Sequence, residues 1–191
     1  MTETNLELAN QFAAVLARVR SMAALEACND VVSKAKSPAA RYAMVLNLTA
    51  SIHGQAALNI VREYLFDDKQ DPRARTAILT ALGQSINGKA MDANQGVGFL
   101  IEFQADQSLP APLRQAALVA LGVSNQEPAL RYLQRAVGDR DRQMRVAAVD
   151  GLARFTPFPA QLLDKLARSS DQAVRARANQ ILNAMQAARK K

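Results

Sequence analysis

Residues able to do chemistry are few in this 191-residue chain, and they stand apart from one another. The single cysteine, Cys28, excludes an internal disulfide and any multi-cysteine zinc site. It falls in a helical pattern (MAALEAC) and reads as a reduced thiol packed as a small hydrophobe. The single histidine, His53, excludes a histidine-rich metal centre. With Gly54 it closes a helical pattern over 38–52, where a helix dipole favours an imidazolium, and no nucleophile or triad pattern points to it. Asp67, Asp68 and Asp71 cluster without the glycine and spacing of a calcium loop, so they read as capping and solvated carboxylates. Gly96-Val97-Gly98 is too short for a phosphate-cradling loop, and no strand precedes it. No catalytic set, cofactor motif or metal-ligand set emerges. The chain reads as a non-enzymatic protein without a cofactor.

Charge is the second candidate for chemistry. The formal net charge is +7. The first hundred residues hold ten Lys/Arg against nine Asp/Glu, and the rest hold fourteen against eight. Arg131 and Arg135 share a face by their i,i+4 spacing, and Lys165 and Arg168 fall on the equivalent face of a later helix. Arg140 and Arg142 fall in a turn between paired helices. With Arg189, Lys190 and Lys191 these residues outline a basic ridge that can meet nucleic acid or an acidic protein surface. The plainer reading is a set of solvated faces with arginine stems lying over alanine-rich surface. Asp139, Asp141, Asp164 and Asp171 are interspersed and neutralise part of the field. Tyr132 alone interleaves with the cations, so stacking on single-stranded bases is poorly supplied.

The elements that must position these side chains are helices. Apolar residues make up 49% of the chain, aromatics 5%, and alanine about a fifth, which suits closely packed helices better than a sheet. Five segments align without gaps: 37–49 (SPAARYAMVLNLT), 71–83 (DPRARTAILTALG), 110–122 (PAPLRQAALVALG), 141–153 (DRQMRVAAVDGLA) and 171–183 (DQAVRARANQILN). Arg41, Arg75, Arg114, Arg145 and Arg175 occupy one column, at intervals of 34, 39, 31 and 30 residues. Leu48, Leu82, Leu121, Leu152 and Leu182 follow seven residues later. Apolar residues just before each Arg, and three, four and seven after it, make one helical stripe. Ser37, Asp71, Asp141 and Asp171 stand at the start as expected N-caps, with Pro38 and Pro72 in the first turn. Gly83 and Gly122 read as helix stops.

Helices of a different texture intervene over 56–66, 97–105, 127–137 and 160–168, and two more are expected near 3–19 and 22–36. That makes about eleven helices. Short connections make neighbouring helices antiparallel. The stretch 86–96, with its Asn87-Gly88 turn signal, reads as an inserted loop. The start of the chain is acidic and polar, unlike a signal peptide, and no run of apolar residues is long enough to span a membrane. A cytoplasmic location without membrane insertion is the expectation.

Helix pairs whose second member reads D-x-x-x-R-x-x-A-x-x-x-L-G resemble HEAT-like repeats, in the bacterial form also found in phycobilin lyases. The resemblance covers residues 37–185 and is best at 71–83, 110–122 and 141–153. It implies an all-α fold: a right-handed α-α superhelix, or solenoid, of about five helix pairs. The whole chain, 1–191, would be one domain. Residues 1–36 would form N-terminal capping helices and 186–191 a polar basic tail. The resemblance also implies a structural ladder between neighbouring repeats from Asp71 and Arg75, Asp141 and Arg145, and Asp171 and Arg175. At Arg114 the acid is replaced by Leu109 and Pro110, and the ladder is weakened there. A lyase or DNA glycosylase activity rests on family analogy alone.

In such a solenoid the stripe two before, one after and five after each Arg faces the concave side. It reads Ala39/Tyr42/Leu46, Arg73/Thr76/Thr80, Pro112/Gln115/Val119, Gln143/Val146/Asp150 and Ala173/Ala176/Gln180. This face is small, mildly apolar and scarcely charged. It suits a peptide or helix better than phosphates. The expected function is that of a protein-interaction adaptor or scaffold holding a protein segment on Tyr42, Leu46, Arg73, Thr76, Thr80, Gln115, Val119, Val146 and Gln180. The alternative is sequence-independent nucleic-acid binding through Arg131, Arg135, Arg140, Arg142, Lys165 and Arg168.

Overall fold

Several helices begin at a serine or aspartate that satisfies a free backbone amide. A computed structural model describes residues 30, 32, 37–51 and 55–189. Asp71 accepts from the Arg73 amide at 2.9 Å, and Asp141 accepts from the Gln143 amide at 2.7 Å. Asp171 accepts from the Val174 amide at 2.9 Å, and the Ala40 amide donates to Ser37 Oγ at 3.4 Å. Among the described residues the regular structure is entirely helical: α1 (Pro38–Ser51), α2 (Gln55–Phe66), α3 (Pro72–Asn87), α4 (Ala93–Ala105), α5 (Ala111–Ser124), α6 (Glu127–Ala136), α7 (Arg142–Leu152), α8 (Ala160–Leu166) and α9 (Gln172–Arg189). The stretch VGFLIEF, with its β-branched and aromatic residues, is helical within α4.

Contacts divide the chain into two units, Met1–Gly96 and Val97–Lys191. In the first, α1 packs on both α2 and α3, and α2 packs on α3. In the second, α5 packs on α7 and α7 on α9, while α6 packs against both α5 and α7, and α8 against α9. Within each unit, then, the arginine-bearing helices lie directly on one another.

The repeat columns account for the core. Met44, Val45 and Leu48 are buried, as are Ile78, Leu79 and Leu82, then Ala117, Leu118 and Leu121, then Ala148, Val149 and Leu152. Burying a leucine or valine of this kind contributes about 2 kcal/mol. On α9 the pattern breaks. Val174 and Ala178 are buried with Leu163, but the next core column is Asn179, which is exposed, and Leu182 is only partly covered. Asn179 turns its amide back to the Arg175 carbonyl at 2.9 Å.

Two expectations about punctuation are corrected. Gly83 and Gly122 do not stop their helices; α3 runs on to Asn87 and α5 to Ser124. A Cβ on Gly122 would lie 2.0 Å from the Gly151 carbonyl oxygen, and one on Gly151 would lie 2.5 Å from the Leu118 carbonyl oxygen. Glycine is there to let the α5 and α7 backbones touch. The actual stop of α5 is Asn125, in the left-handed conformation at φ 54°. The inserted loop also shrinks to 88–92, because α3 is extended and α4 begins at Ala93, where Asp92 accepts from the Gln95 amide at 2.9 Å. Gly96 then gives room to Ile86, whose Cδ1 lies 2.6 Å from where a Cβ would be.

Candidate functional site

The repeat arginines act on the backbone of the turn before their own helix. Arg75 is almost wholly buried, at 3% exposure, and its Nε donates to the Leu65 carbonyl at 2.7 Å. Burial pulls its pKa below the usual arginine value, opposed by Asp67, Asp68 and Tyr64. Arg145 donates to the carbonyls of Asp139 at 2.9 Å and Arg140 at 3.0 Å. Arg175 donates to those of Ser169 at 2.6 Å and Ser170 at 3.3 Å. Arg114 uses a side chain instead, Gln107 Oε1 at 2.9 Å. Each thus ties a repeat helix to the segment before it, and Arg75, Arg145 and Arg175 do so by satisfying carbonyls that a helix end or turn leaves open.

Among the described residues two of the column arginines, Arg41 and Arg145, also form ion pairs. Arg145 reaches Asp171 at 3.0 Å, joining α7 to the start of α9. Arg41 reaches Asp67 at 3.0 Å, in the turn that leads into α3. The acid facing Arg41 is therefore Asp67, while Asp71 and Asp141 serve as caps. Asp67 also accepts from Gln70 Nε2 at 2.7 Å and the Lys69 amide at 3.1 Å. The Gln70 bond does most to hold its carboxyl below the ordinary range.

The stripe beside the arginines lines open grooves. Between α5 and α7 a groove of about 590 Å³ is bordered by Pro112, Gln115, Val119, Gln143, Val146 and Asp150. Between α7 and α9 a second, of about 530 Å³, is bordered by Val146, Ala173, Ala176 and Gln180. Val146 and Arg142 border both. Gln115 donates to Gln143 at 2.9 Å across the first groove. In the first unit a cleft of about 420 Å³ gathers Pro38, Ala39, Tyr42, Tyr64 and Arg73. Thr76 and Thr80 turn their hydroxyls back to their own helix, to the Pro72 carbonyl at 2.9 Å and the Thr76 carbonyl at 3.2 Å. Leu46 is half-buried on α1.

This face carries more charge than the sequence suggests. Arg177, absent from the expected stripe, reaches from α9 to Asp150 on α7 at 2.5 Å and to Gln180 at 2.5 Å. Arg142 belongs here as well. Expected in the turn between paired helices, it is instead the first residue of α7, just after the Asp141 cap, and it borders both grooves. The Asp141 cap places Arg142 at the start of α7, but which grooves it and Arg177 border depends on which helix lies alongside.

The remaining ridge residues are partly engaged. Arg131 lies 3.8 Å from Glu127, both well exposed, and Arg135 lies over the Tyr132 ring at 5.9 Å. Tyr132 donates its hydroxyl to Gln104 Oε1 and is half-buried, and burial pushes its pKa up. Its ring is thus committed to the protein. Lys165 and Arg168 border a shallow depression of about 640 Å³ with Asp164, Ser169 and Ser170. Arg140 is exposed and lends its carbonyl to Arg145.

Among the described residues no three acidic, cysteine or histidine side chains gather as a metal would require, and no helix is long and apolar enough to cross a membrane. Cys28, His53, Lys190, Lys191 and the helices expected over 3–19 and 22–36 lie outside the described residues. No known family's sequence profile and no curated protein matches the chain.

Proposed function

We propose that this protein is a HEAT-like α-solenoid that works as a non-enzymatic adaptor or scaffold, holding a protein segment along its repeat-helix face. The solenoid reading draws support from the second unit, where α5, α7 and α9 pack successively and α6 and α8 flank them. One helix pair cannot cover its own apolar stripe, and stacked neighbours do. The observation that carries the functional reading is the recurrence of one repeat column along adjoining grooves. Gln115, Val146 and Ala176 hold the same place in successive repeats, and they border two grooves that share a wall. Half-buried apolar side chains with amides between them suit the mixed surface of a peptide or helix.

The test compares two variants of the full chain in capture of partners from native lysate, with and without nuclease. One carries Val119→Glu and Val146→Glu on the grooves; the other reverses Arg131, Arg135, Lys165 and Arg168. The reading expects the groove variant to lose its protein partners and the ridge variant to keep them, with both retaining wild-type helicity by circular dichroism. Wild-type capture that is lost only in the ridge variant, is abolished by nuclease and falls steeply with salt would instead establish nucleic-acid binding.

A further inference from the structure

We infer that the segment held on this face is acidic, and that Arg142 is the seat of its carboxylate; this rests on the reading of the face as a protein-binding surface. Five charged side chains border the two grooves: Arg142, Arg145 and Arg177 against Asp150 and Asp171. Arg145 is paired with Asp171 at 3.0 Å and Arg177 with Asp150 at 2.5 Å. Arg142 is left over. It is exposed, borders both grooves, and has no hydrogen-bond or ion-pair partner among the described residues.

The surroundings say what kind of anion fits. Val119 and Val146 form an apolar wall beside Arg142. Gln115 and Gln143 stand next to it, with spare amide groups for a peptide backbone. A nucleic-acid backbone would meet a different balance. It carries a phosphate at every step, and the same grooves offer it a single unpaired cation, because Asp150 and Asp171 already take up Arg177 and Arg145. One carboxylate beside an aliphatic side chain matches one unpaired guanidinium beside a valine wall.

The experiment selects peptides from a random dodecapeptide library on the full chain, then measures the selected peptides and a duplex DNA oligonucleotide on variants. Arg142→Gln removes the charge and breaks no contact within the fold, so its thermal melt should match wild type. Selected peptides should carry Asp or Glu next to Val, Leu or Ile. Their affinity should fall about tenfold with Arg142→Gln, recover in part with Arg142→Lys, and fall with Val146→Glu. Selection on Arg142→Glu should enrich Lys or Arg in place of the acid. Peptides that lose binding with Val146→Glu but carry no acid and ignore Arg142→Gln would overturn this inference and leave the protein-binding reading standing. Failure to select any groove-dependent peptide would overturn both. Duplex DNA whose binding depends on Arg142, without peptide selection, would overturn the inference in favour of a polyanion.

Discussion

Arg75 is a charged group buried for a backbone reason. Its Nε takes the Leu65 carbonyl at 2.7 Å, in the last turn of α2, where no helical amide is left to do so. Replacing it with methionine keeps most of the volume and strands that carbonyl, so Arg75→Met should lower stability by about 2 kcal/mol in urea unfolding. Asp171 makes a pH prediction. The Val174 amide does most to hold its carboxyl below the usual 3.8, and Arg145 adds to this against burial. A lowered pKa in the folded state means that the stabilisation is complete above the ordinary carboxylate value and is lost as pH falls through the lowered one. Asp171→Asn keeps an N-cap acceptor and removes the charge. The stability gap between wild type and this variant should be full at neutral pH and close below pH 3.8, as read by thermal melts across acid pH.

At the scale of the helix, two glycines separate propensity from packing. Gly98, in α4, would meet nothing within 4 Å if given a Cβ, whereas one on Gly122 would lie 2.0 Å from a carbonyl oxygen of α7. Alanine is favoured over glycine by about 1 kcal/mol inside a helix. Gly98→Ala should therefore raise stability by about that amount. Gly122→Ala has the same intrinsic gain but must push α5 off α7, at a cost of about 3 kcal/mol, so it should be destabilising overall. The paired urea midpoints check both. The same residues show where sequence reading stops. The arginine and leucine columns are legible because a helix stripe repeats at fixed spacing, and they mark buried residues from Met44 to Leu152. Gly122 is misread as a stop because glycine serves both roles, and only the neighbouring helix tells them apart. Pro110, with no side-chain bond, and Asp92, capping α4, are likewise settled by the fold.

Across the whole molecule, Tyr42, Arg73, Gln115, Val119, Val146 and Gln180 of the expected stripe border grooves, but the electrostatics there had to come from three dimensions. Arg177 reaches Asp150 across two helices, and Arg142 joins the face once α7 is seen to begin with it. The basic excess of the second half thus divides. Some of it is used in ion pairs and carbonyl contacts, and some, as at Lys165 and Arg168, borders open surface. The central claim is that the repeat-helix face, and not this open basic surface, is where a partner is held. A photo-crosslinking amino acid at Val146, compared with the same probe at Lys165, tests it in native, nuclease-treated lysate. The account expects discrete protein adducts at position 146 that disappear with Val119→Glu, and none that are specific at 165. Discrete adducts at 165 with none at 146 would contradict it.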